Sequence, residues 1–215
     1  MSRAPVQERS QQTRKRLLAA ARRAFSERGF AGASMEAIAE EAGVTRGPLY
    51  HFFDDKTDLF RAVYAEIEHE LTARIAAEIQ ARSGAAADAL DDVRLGAQAF
   101  LDAGLEPSLQ RIAFVEAPYV LGRGASREVA GFGLDLLRAG LQRAMDAGLI
   151  ARQPVEPLAR VLRAAITEGA VYIARAEDHT AARADAGAAI DGLIEGLRVR
   201  SYGGSGPGLT GQPEG

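Results

Sequence analysis

MEAIAEEAGVTRGPLYHFF, residues 35–53, is two short helices joined by one tight turn. Met35, Ile38, Ala39 and Ala42 recur at i, i+3, i+4 and i+7, the apolar face of a helix. Ser34 stands where an N-cap belongs. Gly43 can take the positive backbone angle that ends the helix. Thr45 can cap a second helix over roughly 46–52, with Pro48 in its first turn, where the missing N–H costs nothing. Helices joined this closely must cross at a small side chain, and Ala39 supplies it. Val44 and Leu49 then bury between them and hold the second helix proud of the surface. This is the grammar of a helix-turn-helix, whose second helix enters the major groove of DNA. An ordinary helical hairpin inside a core also uses Ala and Gly, and is the competing reading of this stretch alone.

Outward from that stretch the pattern stays helical. Residues 1–8 read as a flexible arm. Leu17, Ala21 and Phe25 give a helix from about Arg9 to Arg28, closed by Gly29 in the left-handed cap position before Phe30. Asp54 or Asp55 can cap a long helix reaching about Arg82, after which SGAAAD (83–88) is a break. Further helices are expected over 88–103, 107–117, 127–147, 155–178 and 180–200, with Pro107, Pro118, Pro154 and Gly148 marking their ends. The tail 202–215 is rich in Gly and Pro and should be disordered. No segment alternates with period two for long enough to be a strand. The expected fold is all-α, about nine or ten helices in total: an N-terminal three-helix helix-turn-helix domain over 9–54 and a larger C-terminal helical domain over 55–201, of which 55–82 is a connecting helix.

Composition sets the limits. The 215 residues include no Cys, which excludes disulfides, thiolate metal sites and cysteine nucleophiles. Asn is absent too, so N-glycosylation is excluded. No apolar run approaches the roughly 20 residues of a membrane span, and MSRAPVQERSQQTRKR lacks the apolar core of a signal peptide. A cytoplasmic, nucleoid-associated protein without membrane contact is the expectation. Abundant Ala, Gly and Arg, with Lys only at Lys15 and Lys56, suggests a GC-rich bacterial genome. The net charge of −3 is uneven: residues 1–65 hold eleven basic and eight acidic groups, the remainder fifteen and twenty-one. A basic head on an acidic body suits a modular DNA binder.

The stretch RKRLLAAARRAFSERGFAGASMEAIAEEAGVTRGPLYHFFDDKTDLFRAVY resembles the DNA-binding domain of the TetR family of bacterial transcriptional regulators along its whole length. The first helix ending in RGF, the SMEAIAEEAGV turn, RGxLYHFF and DKxxLF match in order without gaps. Pro48 departs from the Ala, Ser or Thr usual at that position. QRIAFVEAPYVLGRGASRE (110–128) resembles the ligand domain of one subgroup, a less specific match. The resemblance implies a dimeric repressor released from a palindromic double-stranded operator by a small-molecule effector, with no cofactor and no enzymatic activity.

Chemistry and resemblance together suggest the DNA contacts. Arg46 can bond guanine O6 and N7 at once and is the candidate base reader. Gly47 lets the backbone approach the groove floor, next to Pro48. Ser34, Thr45, Tyr50, His51 and Lys56 each offer a donor to phosphate, Lys56 from a helix N-terminus. For Tyr50 and His51, packing against Phe52, Phe53 and the first helix is the alternative.

In the body, the helix around 129–145 is apolar on two sides, with Leu134, Leu137, Leu141, Ala144 and Met145 on one and Val129, Phe132 and Leu136 on the other. The resemblance implies a dimer interface from this helix and that over 158–176: Leu134, Leu137, Leu141, Leu158, Leu162 and Ile166. Glu116 falls inside an apolar stripe, where a carboxylate must be paired, neutralised or used. With Phe100, Phe114, Tyr119, Glu168 and Tyr172 it could line a pocket of acidic character for a hydrophobic cation or amine. The alternatives are an ion pair with Arg94, Arg123 or Arg127, or exposure by a helix bend.

Two other functions compete. One is a constitutive DNA-binding regulator whose body only dimerises. The other is a helical-bundle metal-binding enzyme, for which Glu66-x-x-His69 has the right spacing but lacks the second such pair a di-iron site needs. A cavity in the body with polar groups converging on it separates the first alternative from a ligand-controlled regulator.

Overall fold

The computed structural model describes residues 4–82, 88–122 and 131–199. The expected break at 83–87, the start of the 127–147 helix with Val129, and the tail 202–215 lie outside them, as do Arg123, Arg127 and the side chain of Phe132. Among the described residues there is no strand, only an isolated antiparallel bridge between Ile150 and Arg198.

The head is α1 (Ala4–Gly32), α2 (Met35–Glu41) and α3 (Arg46–Phe52). α1 begins earlier than expected, so Ala4–Glu8 belong to a helix and not to an arm. Pro5 falls in its first turn, where no N–H is needed, and no glycine follows before the core positions. Gly29 takes φ +73° and is non-helical, so the first stretch of α1 stops there as expected, and a short second stretch runs on to Gly32. The Ser34 hydroxyl accepts the Ala37 N–H at 3.2 Å and caps α2 as expected.

α4 (Lys56–Arg82) leaves the head as the long connecting helix, with Asp55 accepting the Asp58 N–H at 2.8 Å at its start. The body adds α5 (Ala89–Ala103), α7 (Gly131–Asp146), α8 (Val155–Arg175) and α9 (His179–Glu195), which pack on one another, while α4 lies against α5 and α7. Asp88 closes a capping box with Asp91 at the start of α5.

Between α5 and α7 runs α6, a composite of Pro107–Leu109, a π-helical segment Gln110–Glu116 and Ala117–Val120. The sequence suggested an end near Pro118, yet the helix passes through it. A proline there has no N–H to give and its ring crowds the carbonyl one turn back. Widening the turn accommodates this: the Ala117 N–H reaches five residues back to the Ile112 carbonyl. The π-helical segment lies between α1 of the head and α8 of the body. One apolar cluster runs continuously from Leu17 and Phe25 through Leu71 and Ile112 to Ile194.

Candidate functional site

The second helix of the head stands as its residue pattern requires. Gly43 has φ +64°, and the Val44 N–H turns back to the Ala39 carbonyl at 3.0 Å. Ala39 and Leu49 are buried at the crossing, which leaves the opposite face of α3 in solvent. Arg46 is on that face, paired with Glu36 of α2 at 3.1 Å. Thr45 occupies the cap position of α3 without a side-chain capping bond, so its hydroxyl is not tied to the helix start. A Cβ on Gly47 would meet nothing within 4 Å, so bare backbone faces outward here. Tyr50 is half-exposed, and His51 is exposed with its ring edge-on to Phe52 at 5.3 Å. Pro48 and His51 share a shallow depression with Arg9 and Thr13 of α1. Ser34 is exposed at the head of α2.

Lys56 is placed differently from a simple phosphate contact. Its ammonium donates to the Ala33 carbonyl at 3.0 Å and stands 4.5 Å from the Phe30 ring centroid. It therefore braces the chain that leads into α2. Phe30 in turn packs with Phe25 and Phe60, at 6.0 Å and 5.4 Å between centroids.

Glu116 is not in a pocket. Its carboxylate accepts the Phe30 N–H at 2.9 Å and lies 3.7 Å from the Arg111 guanidinium. Arg111 also donates to the carbonyls of Ser26 and Glu27, at 3.2 and 2.9 Å. Together they clasp the kinked end of α1, satisfying backbone groups that the kink releases. A side chain at residue 29 would put its Cβ 2.5 Å from Glu116 Oε1 and push the carboxylate off its seat, in addition to straining the backbone angle. The carboxylate is thus paired, but with Arg111 and a backbone N–H from a different domain.

The remaining pocket expectations divide. Phe100 lines a cavity in the body, and Phe114 packs against it at 5.7 Å between centroids. Tyr119 is 77% exposed and Tyr172 53%, and Glu168 is exposed as well. These three are not among the residues that line the body cavity. On α8 the buried positions Ile166, Ala170 and Ile173 face the core, which turns residues 168 and 172 to the opposite side.

The cavity, about 70 Å³, lies between α4, α5, α7 and α8. Its apolar wall includes Ile75, Ile79, Val93 and Leu137, and its polar groups are Thr72, Asp92, Arg143, Arg163 and Thr167. Arg143 lies 3.6 Å from Asp92, and Arg163 lies 3.5 Å from Glu68. Glu68 is only 3% exposed, and burial pushes its carboxyl up against the opposing pull of Arg163 and of the Tyr64 hydroxyl. Burial and the Glu68 charge push the Tyr64 phenol up in turn. Sequence reading fastened on Glu66 and His69 and missed this group. The signal was present: Tyr64, Glu68, Leu71 and Ile75 share one helix face. Likewise Arg163 and Thr167 share the buried face of α8 with Ala159, Ile166 and Ala170. Among the described residues no three His, Asp or Glu side chains gather as metal ligands.

Part of the expected interface is internal to the chain. Leu141, Leu162 and Ile166 are buried in the chain's own core, Leu137 lines the cavity, and Leu134 and Leu158 pack half-buried against the core. Two apolar sides of α7 were read as one for the core and one for a partner. The stripe of Leu134, Leu137 and Leu141 has intrachain uses, because α7 is packed by α4, α5 and α8, and Leu136 from the other side lines the cavity. Among the described residues of the body, the large apolar side chains left exposed are Leu105, Tyr119, Val161 and Tyr172 on α8, Leu193 on α9, and Val199.

Known proteins resemble both parts. A family profile described as bacterial regulatory proteins, tetR family, matches residues 17–63, and one described as tetracyclin repressor-like, C-terminal domain, matches 90–197. The regulator UidR of Escherichia coli K12 is 40% identical over 75 residues, 35% of this chain and 38% of UidR. TtgR of Pseudomonas putida is 45% identical over 58 residues, 27% of this chain and 28% of TtgR. These curated relatives are matched over less than half of their length. A crystal structure of a TetR-family transcriptional regulator from Pectobacterium atrosepticum is 34% identical, covering 93% of this chain and 99% of that one, with a TM-score of 0.76. The chain belongs to the TetR family of DNA-binding transcriptional regulators.

Proposed function

We propose that the chain is a dimeric repressor that holds a palindromic operator through α3 and releases it when a small molecule fills the body cavity. Residues 9–54 act as the reading head, 55–201 as the sensing and dimerising body, with 55–82 linking them. Arg46 reads a base edge, Gly47 and Pro48 bring backbone to the groove, and Ser34, Thr45, Tyr50 and His51 hold phosphates. Lys56 keeps protons for a phosphate after its bond to Ala33, since an ammonium has three.

The observation that carries sensing is a continuous contact path. Phe100 lines the cavity, Phe114 packs on Phe100, and two residues later Glu116 grips the Phe30 N–H of the head. A ligand that displaces Phe100 acts on the segment that holds α1. It shifts the equilibrium only if it binds better in the arrangement that misplaces the two α3 helices. Without the cavity and this path, a constitutive DNA-binding regulator would be the better reading.

For the dimer, the exposed Val161, Tyr172 and Leu193 favour α8 and α9 as the joining face, with exposed Glu168 on the same side of α8 as Val161 and Tyr172. Two copies joined there can present two α3 helices to half-sites about one DNA turn apart.

Selection of binding sequences from a random DNA pool, followed by footprinting upstream of the chain's own gene, tests the proposal. A palindromic site with half-sites about one turn apart is expected. Selection of no sequence, or of a lone half-site bound by a monomer, would sink it.

A further inference from the structure

We infer that the depression between α1 and α3 seats one phosphate of the operator backbone, bound by the Arg9 guanidinium with the His51 imidazole and the Ser10 hydroxyl; this rests on the operator-binding reading above. α3 is about as wide as the major groove it enters, roughly 10–12 Å against about 12 Å. Whatever packs beside α3 therefore meets the wall of the groove, which is a phosphate strand. α1 packs there: its Arg9, Ser10 and Thr13 border one shallow depression with Pro48, His51 and Phe52 of α3.

The lining is made for an anion. Arg9 carries a planar guanidinium fork that matches two phosphate oxygens. His51 offers at least one ring N–H in either protonation state, and Ser10 offers a hydroxyl. Phe52 packs edge-on to the His51 ring at 5.3 Å and limits how it can turn. Among the described residues no carboxylate shares the lining, and the neighbouring Glu8 is not part of it. Farther along α1, Arg22, Arg23 and Arg28 are each paired with a glutamate of α2 or α4, whereas Arg9 has no such pair among the described residues.

The seat is walled by helix on both sides. Because α1 begins at Ala4, Arg9 stands in its second turn and not in a loose arm. The Thr13 hydroxyl donates to the Arg9 carbonyl at 2.9 Å, which spends its proton within α1 and makes Thr13 a wall of the seat, not a donor to it. A backbone fixed in advance loses less conformational entropy when its side chain meets a phosphate than a flexible arm would.

The test titrates the full chain, at several salt concentrations, against a sequence it selects from a random DNA pool. Arg9→Gln should weaken binding about tenfold per half-site and lower the salt slope by about one per half-site, with base preference unchanged. Lys15→Gln removes the same charge from another face of α1, where Lys15 is exposed, and should leave the slope near that of the parent chain. A methylphosphonate placed at each backbone position in turn locates the seat. At one position per half-site, bordering the bases under α3, it should weaken the parent chain about tenfold and Arg9→Gln clearly less. An unaltered salt slope in Arg9→Gln overturns the inference, as does an equal fall in Lys15→Gln, which marks an effect of bulk charge. So does a methylphosphonate scan that affects the two proteins alike at every position. A loss of base preference beside the α3 half-site also overturns it, because Arg9 then reads the minor groove. A palindrome selected and bound with no contribution from Arg9 removes the seat alone, whereas selection of no sequence removes the operator-binding reading with it.

Discussion

The Phe30 N–H ends on the Glu116 carboxylate at 2.9 Å, joining the kinked end of the first helix to a side chain 86 residues away. Phe30 also carries Lys56 over its ring, and Lys56 holds the Ala33 carbonyl just before the Ser34 cap of α2. Body, kink and helix-turn-helix are thereby linked through two side chains.

Glu116→Ala should therefore uncouple the two domains. It leaves the Phe30 N–H and the Arg111 guanidinium without this acceptor, a loss of about 1–3 kcal/mol. Calorimetric melting should then split toward two transitions, where the parent chain shows one. A single cooperative transition at the parent temperature would remove the clasp from any part in coupling. Glu116→Gln keeps an acceptor for the N–H and should dull effector-driven operator release less than Glu116→Ala does.

Arg46→Ala should cost about 1–3 kcal/mol of operator affinity and relax base preference at one position per half-site. The pairing of Arg46 with exposed Glu36 is weak and does not compete seriously with a base contact. Binding titrations against single-base operator variants read the preference. Unchanged discrimination would exclude Arg46 as a base reader.

Lys56→Ala should act twice. Losing the Ala33 bond and the Phe30 ring contact destabilises the head by about 1–2 kcal/mol, seen as a lower melting temperature. Losing a phosphate contact lowers the salt slope of DNA binding by about one. A lower melting temperature with an unaltered salt slope would assign Lys56 to bracing alone.

Val161→Glu or Leu193→Glu should give folded monomers, while Leu141→Asp should give unfolded protein, because Leu141 is fully buried within one chain. Light scattering with circular dichroism separates these outcomes. Intact dimers for both exposed-site variants would move the interface away from α8 and α9.

Asp88 caps α5 and meets Arg198 at 2.9 Å, and the Arg198 hydrogen bond holds its carboxyl below the ordinary aspartate value. A carboxyl lowered in the folded state contributes stability that is complete above its unfolded value and lost as pH falls through the folded one. Denaturation midpoints should thus drop on acidification below the usual carboxylate range, and less steeply in Asp88→Asn. Parallel pH profiles for the two proteins would contradict this.

Legibility differed between head and body for a physical reason. In the head, Gly43, Ala39 and Leu49 act through contacts a few residues apart, so spacing alone reveals the arrangement of α2 and α3. Gly29 is legible as a positive-φ glycine that stops the helix, but the carboxylate that receives the next N–H, Glu116, lies far away in sequence. Glu116 was likewise recognised as a carboxylate needing a partner, while the partner was a backbone N–H, which leaves no trace in side-chain pattern. In the body, two apolar stripes on α7 do not say which neighbour covers each. Arg163 and Glu68 were hidden because charged residues on an otherwise apolar face read as breaks in the stripe, when here they meet each other across two helices.

A π turn holds one residue more than an α turn, and the segment Gln110–Glu116 stores that surplus between cavity and clasp. Deleting Val115 would let an ordinary helix close over the gap, and the side chains after it would keep their facing. The widened turn is thus slack taken up in place: one residue more is held between cavity and clasp while the helix on either side keeps its course.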